Sequence, residues 1–525
     1  MNRSIQRIVV ALGIPAIDWL PVMKNIFAKN LLRSCCVAIL LPLASHAQQW
    51  VSLDAKGKLQ YDYSSRGDRI LDFSYAGYKG GGVSIPNIPA TITLQPVPGD
   101  NAAGIQAAID KVSALPLKNG FRGMVLLSPG NYECQQTIQI QASGVVLAGS
   151  GSGENGTILQ LSGAPHMGVV IKGKPVYSKS GARETVTDTY VPAGAMQLQV
   201  GNGKSFKLGD TVRITKPVTP QWVKFMGMDD LVRDGKPQTW INGELTTDRI
   251  ITTIKGNTLQ FDVPLTDNYD AAYTSPEGTV VEKISTTGEL TNCGIMNFRM
   301  VSPSQTGTIN DRHHQAFFIG GITDAWASNI QIFNTINSIT ITGRRITLDS
   351  ISIFHDDVTI GAAKPADIST NGPQQLVKNC YIKGANVFYI ATGAKVTGPI
   401  VIMDCVFEGG GWIQPHQRWA TGLLVDNCKV PGGGIDFMNR GEMGSGHGWA
   451  IGWAVAWNSS ATSFLNQQPP GAMNWMIGCS GAQRQEARPF DKSPLLPSGI
   501  YVSQDHPVQP QSLYKQQLQE RLGKR

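Results

Sequence analysis

Asn379-Cys380-Tyr381-Ile382, Asp404-Cys405-Val406-Phe407 and Asn427-Cys428-Lys429-Val430 are three copies of one short element: a polar residue, a cysteine, then a second apolar side chain two positions on. The element extends backward as Ser350-Ile351-Ser352-Ile353-Phe354, Asn329-Ile330-Gln331-Ile332-Phe333 and Asn292-Cys293-Gly294-Ile295-Met296-Asn297-Phe298, with successive starts 37, 21, 29, 25 and 23 residues apart. Alternation at every second position is the pattern of a strand, and recurrence at a little over twenty residues makes each strand part of one turn of a stack. The pattern predicts an all-β fold, a right-handed parallel β-helix. Residues in one phase then stack from coil to coil, so Cys380, Cys405 and Cys428 are expected in an inward column, as packing groups rather than disulfides or nucleophiles. The asparagines before them read as turn residues bonding nearby backbone.

Outward from the repeat, composition agrees. Of 525 residues, 41% are hydrophobic and 16% charged, which excludes a disordered chain; 58 Gly and 30 Pro argue against a helix bundle. Asn101–Val112 places Ile105, Ile109 and Val112 on one helical face, suited to cap the open end of the stack. Strand-and-turn segments at 123–132, 137–140 and 145–151 read as the first coils. Gly151-Ser-Gly-Glu-Asn-Gly156 reads as turn glycines, not a nucleotide loop. Residues 165–285 break the rhythm and read as a β-rich insertion carrying Trp222 and Trp240, whose rings could stack on sugars or pack in a core. Residues 286–485 form the main stack, 48–164 its cap and first coils, and 486–525 a covering segment ending in a short helix.

Residues 1–47 have the order of a secretory leader from Met23 onward, basic residues before an apolar run, with cleavage expected after Ala47; residues 1–22 read as a misassigned upstream start. The apolar run Val37–Leu43 is too short to span a bilayer. A soluble, monomeric protein of the periplasm or exterior is expected, without a stable membrane span. Losing Arg3, Arg7, Lys24, Lys29, Arg33 and Asp18 takes the formal charge from +7 to +3, and no Lys/Arg run tracks a phosphate backbone, so nucleic acid is not an expected partner. No cysteine spacing suggests zinc.

The Asp100–Asp110 helix, the turn Leu127-Ser-Pro-Gly-Asn-Tyr132 and the stretch Val146-Leu-Ala-Gly-Ser-Gly-Ser-Gly153 resemble the pectate-lyase superfamily. That resemblance covers most of the mature chain and implies a β-helix in a carbohydrate setting; the superfamily houses lyases, hydrolases, epimerases and phage adhesins. Gln414-Pro-His416-Gln-Arg418-Trp419-Ala-Thr-Gly, followed by Asn439-Arg440-Gly-Glu442 and Gly444-Ser-Gly-His447-Gly-Trp449, resembles a bacterial subgroup of it.

Two histidines and two arginines within about two coils are more than turn chemistry requires. A lyase acting on a uronic acid must neutralise a carboxylate, remove the C5 proton and protonate the departing oxygen; arginine and histidine suit these tasks. His416 or His447 is the candidate base or acid, and Arg418 or Arg440 the carboxylate clamp. Asp311-Arg312-His313-His314 lies several coils earlier and could join only if its loop folds across; His314 is placed with the catalytic candidates, and Arg312 and His313 with substrate binding. Trp419, Trp449 and Glu442 complete the expected binding set, with Glu408 as a further acid. A hydrolase would need two flanking carboxyl groups; His355-Asp356-Asp357 and Gly446-His447-Gly448 resemble polygalacturonase motifs but stand some ninety residues apart. A glycan-binding protein without turnover is the third reading. No metal residues are assigned, and no dense acidic repeat marks calcium, although one Ca²⁺ site built from scattered aspartates stays open.

Overall fold

The computed structural model describes residues 49–356, 358–490 and 494–523, and the expected leader lies outside them, as does Asp357. Among the described residues, 27 strands form one parallel ladder. Each coil visits three sheets in turn. The first sheet stacks Gly123–Leu127, Val145–Gly149, Gln375–Lys378, Thr397–Met403, Ala420–Asp426, Val455–Trp457, Trp475–Ile477 and Ile500–Val502. The second includes Tyr381–Lys383 and Val406–Glu408. The third stacks Met167–Lys172, Gln315–Gly320, Ile339–Ile341, Ala366–Thr370, Phe388–Thr392 and Trp412–Ile413. Strands such as Ile322–Phe333 and Arg344–Phe354 turn the corner between the first two sheets without a break. This is the expected all-β parallel β-helix.

The corner explains the repeat. Asn297, Asn329, Ser350, Asn379, Asp404, Asn427 and Asn458 all have φ between 44° and 63°, a left-handed conformation that short polar side chains tolerate. Their side chains bond across the stack as well as to backbone: Asn329 donates to Asn297 (2.9 Å), Asn379 to Asp349 (2.9 Å) and Asn427 to Asp404 (2.7 Å). The first element is corrected in phase, because the corner residue is Asn297, not Asn292; the step from 297 to 329 is 32 residues, and Cys293 pairs with Ala325 in the first sheet. The six described cysteines are free and buried, and the Cys380 N–H donates to Cys405 Sγ at 3.4 Å. Burial pushes the Cys405 thiol up and that of Cys479 to about 12, so neither is poised to react.

Ile105, Ile109 and Val112 of the helix Ala102–Ser113 enter the main core as expected. The insertion leaves the coil after Lys172, since Met167–Lys172 still pairs with Gln315–Gly320. Its main sheet has six antiparallel strands in the order Val176–Thr185, Val280–Thr287, Thr211–Pro217, Glu244–Lys255, Thr258–Phe261, Gln197–Gln199. Its helix Pro220–Phe225, the N-terminal segment around Trp50 and Phe73, and the C-terminal helix Leu513–Leu522 cover the outer face of the first sheet. That face is therefore dry on both sides, and every residue of Ala420–Asp426 is buried.

Candidate functional site

The outer face of the third sheet carries a groove of about 810 Å³ towards the later coils. Phe388 and Trp412, in register on neighbouring coils, line it, and Gln414, Asp436, Arg440 and His416 continue the lining. Lys364 and Ile309 come from loops on one flank, Arg233 from a hairpin of the insertion, His447 from the 442–447 turn, and Arg484, Glu486 and Phe490 from the last coil and beyond. Trp412 has room because its neighbour is Gly434: a Cβ there would lie 2.9 Å from the indole Cδ1.

The rings of His416 and His447 are 4.8 Å apart, and His416 meets Phe388 edge-on at 5.3 Å. Arg440, 7% exposed, donates to Gln414 Oε1 and lies 5.2 Å from the Phe388 ring centre, while its Nε has no partner. His447 Nδ1 is likewise buried without a partner. Burial, then Arg440 and His447, pull His416 down to about 3; burial, then Arg440, Arg418 and Arg233, pull His447 down to about 4. Both imidazoles are neutral at neutral pH, able to accept a proton but not to donate one as imidazolium. Burial also lowers Arg440 to about 10, which leaves it charged. Lys364 Nζ stands 3.7 Å from the Trp412 ring centre, and burial followed by Arg440 lowers its pKa. Among the described residues, four basic side chains against two acidic ones line the groove, and both of those acids are committed: Arg484 bonds Asp436 at 2.7 Å and also bonds Glu486. Among the described residues, no three His, Cys, Asp or Glu side chains gather as a metal site. Among the described residues, the groove carboxylates Asp436 and Glu486 are held by Arg484, and Asp436 also by Gln414, a set that does not fit calcium.

The structure brings His416, Arg440 and His447 together and sends the other expected site residues elsewhere. Arg418 does not line the groove: it donates to the carbonyl (2.9 Å) and hydroxyl (2.6 Å) of Ser445 and braces the turn bearing His447. Trp419 and Trp449 face the dry side of the first sheet, 2% and 3% exposed, because the residues following each histidine cross to that sheet. Glu442 is buried against Arg488 at 3.4 Å. His314 is buried beneath His166, whose backbone N–H donates to its Nδ1; His313 contacts the Thr308 carbonyl, and Arg312 is exposed; none of the three lines the groove. Glu408 accepts from Tyr381. His355 bonds Asp367 (2.7 Å) and Asp356 pairs with Asn334, both outside the groove; burial opposes charge on His355, but Asp367 outweighs it and raises the pKa. Trp222 and Trp240 are core.

Trp412, Phe388, Lys364, Arg233 and the Asp436–Arg484–Glu486 group were missed. Trp412 and Gln414 share the alternating phase of the strand before His416, a usable signal; Lys364 and Arg233 arrive on loops with none.

Neither a protein-family model nor a curated protein matches this chain. Solved structures similar to it include the tailspike of Pseudomonas phage phi297 (11% identity over 77% of this chain and 68% of that one, TM-score 0.32). The tailspike of Acinetobacter baumannii bacteriophage AP22 in complex with a capsular saccharide matches at 11% identity over 78% and 73% (TM-score 0.26). The tailspike of E. coli bacteriophage HK620 in complex with a pentasaccharide matches at 13% over 83% and 62% (TM-score 0.38).

Proposed function

We propose that this is an exported β-helix protein that binds an acidic polysaccharide along the third-sheet groove and cleaves it by β-elimination at a uronic residue. The observation that carries the reading is Arg440: a guanidinium almost withdrawn from water, without a carboxylate partner, beside two neutral imidazoles. A buried cation so placed favours an incoming anion, and Arg440 with Lys364 neutralises the uronate, which acidifies its C5 proton. One imidazole takes that proton, the electron pair forms the C4–C5 double bond, and the C4–O bond breaks. The departing oxygen takes a proton from water or from the imidazolium just formed. Trp412, with Lys364 Nζ over its ring, gives the sugar an apolar edge beside that cation.

The Asp436–Arg484–Glu486 group favours a second reading, hydrolysis between two carboxyl groups. It ranks lower because Arg484 holds both acids and Gln414 takes the other oxygen of Asp436.

The test is ultraviolet absorbance of the mature protein with a panel of uronate-containing polysaccharides, run beside a reducing-end assay and the variants His416→Ala and Arg440→Met. Absorbance that both variants lose supports elimination; new reducing ends without absorbance move the protein to hydrolysis. Retention of a glycan by affinity electrophoresis, with neither signal, reduces the reading to binding.

A further inference from the structure

Arg418 and Trp419 have φ of 53° and 61°, the one place among the described residues where two consecutive non-glycine residues are left-handed. For residues with a Cβ each such conformation costs on the order of 1–2 kcal/mol and persists only where the surroundings enforce it. The pair follows His416 by two residues, and the Arg418 N–H donates to the His447 carbonyl at 3.0 Å, so this turn fixes one histidine relative to the other.

What enforces it comes from the insertion. The Trp419 indole N–H donates to Asp267 Oδ2 at 3.0 Å, and Lys216 Nζ lies 2.9 Å from the same oxygen. Trp453 donates to Asp267 Oδ1, and the rings of Trp222 and Trp240 meet Trp419 at 5.7 and 6.1 Å. On the other histidine the insertion acts again. Trp240 presses on Gly448, where a Cβ would lie 2.2 Å from its Cδ1, and donates to the Trp449 carbonyl; the Trp449 indole donates to the Met226 carbonyl at 3.0 Å. Each groove histidine is thus followed within three residues by a tryptophan whose indole N–H is held by the insertion.

We infer that the insertion is the frame that sets the His416–His447 geometry, with Asp267 as a positioning residue acting through Trp419. The inference rests on the reading of the groove as a reactive site, but the placement of the imidazoles is measurable without turnover. Catalytic groups must be held to a fraction of an ångström, so a released turn should lower kcat far more than it raises KM.

The experiment compares Trp419→Phe, which keeps a ring and removes the N–H, with Asp267→Asn, which keeps an acceptor oxygen for the indole. The imidazole resonances of His416 and His447 are read by NMR in isotope-labelled mature protein, beside thermal unfolding. In Trp419→Phe both sets of resonances should shift while those of His313 and His506 do not. In Asp267→Asn they should stay closer to wild type. Where a substrate is in hand, Trp419→Phe should lower kcat on the order of tenfold or more with KM changed less than about twofold. A lowered Tm with unmoved His416 and His447 resonances overturns the inference and leaves Asp267 a purely structural anchor. Shifted resonances in a protein that cleaves nothing uphold it and remove the elimination reading instead.

Discussion

The outer faces of the first and third sheets are built from the same coils, yet one is dry and the other is the groove. Trp412 lines the groove while Trp419, seven residues later, is sealed behind the first sheet. Lys216 and Arg440 make the contrast in charge: both are buried cations, but Lys216 meets Asp267 at 2.9 Å and Arg440 pairs with no carboxylate among the described residues. Neither burial nor a missing ion pair alone marks the groove cation: Arg249 is also buried without a carboxylate partner among the described residues, but it donates to the carbonyls of Asp248, Val263 and Pro264. Arg440 differs in bordering the groove with its Nε unpartnered. A cation left uncompensated in a well-packed fold costs stability, and such a cost is tolerated where a ligand supplies the missing charge.

The largest effect expected is on that pair of cations. Lys216→Met strands the Asp267 carboxylate among tryptophans and should cost about 3–5 kcal/mol of unfolding free energy. Arg440→Met removes a charge that no ion pair holds and that Asp436 favours only without direct contact, and should leave stability within about 1 kcal/mol of wild type, or raise it, while glycan binding is lost. Denaturant unfolding of both variants decides the matter: equal losses would break the comparison and make Arg440 an ordinary structural group.

Next in size is Trp412→Ala. With its ring half-buried beside Gly434 and Lys364 Nζ 3.7 Å from the ring centre, its loss should weaken glycan binding by about 1–3 kcal/mol, read by calorimetry, with a smaller change in Tm than Trp453→Ala on the dry face. The reverse ranking would move the sugar platform away from Trp412.

Acid should act through the groove. The folded-state values of His416 and His447, about 3 and 4, lie below the ordinary value of 6.5, so the unfolded chain binds more protons between them. Their contribution to stability is fully present above about pH 6.5 and is lost progressively as pH falls towards 4 and then 3. His416→Gln should flatten that decline in pH-dependent unfolding. An unchanged slope would mean that the pair is not held neutral.

How far these faces could be read from the sequence differs in the same way. The stack was legible because one corner recurs with one chemistry: Asn, Asp or Ser in a left-handed turn, then at five of the seven corners an inward cysteine or isoleucine. Asn292-Cys293 mimicked that signal five residues early and was misphased. Of the groove, His416, Arg440 and His447 were legible as a cluster. Trp419, Trp449 and Glu442 were misread because nearness along the chain says nothing about which sheet a side chain serves once the coil turns; what covers the first sheet comes from the insertion, the segment around Trp50 and Phe73 and the helix Leu513–Leu522, all remote in sequence. Lys364 and Arg233 reach the groove through loop paths that no periodicity encodes.

The smallest prediction tests the corner itself. Asn379, with φ of 55°, is bonded to Asp349 across the stack. Asn379→Gly loses that exposed hydrogen bond but adopts the left-handed turn freely, so its stability should stay within about 0.5 kcal/mol of wild type. Asn379→Ala loses the bond and also places a Cβ in the turn, and should cost about 1–2 kcal/mol. Urea unfolding of the two variants separates the two contributions. If glycine is as damaging as alanine, the side-chain ladder along the corner holds the coils and the backbone conformation is secondary; if glycine is tolerated and alanine is not, the left-handed backbone selects the repeating polar residue, and the ladder is a consequence of the stacking it permits.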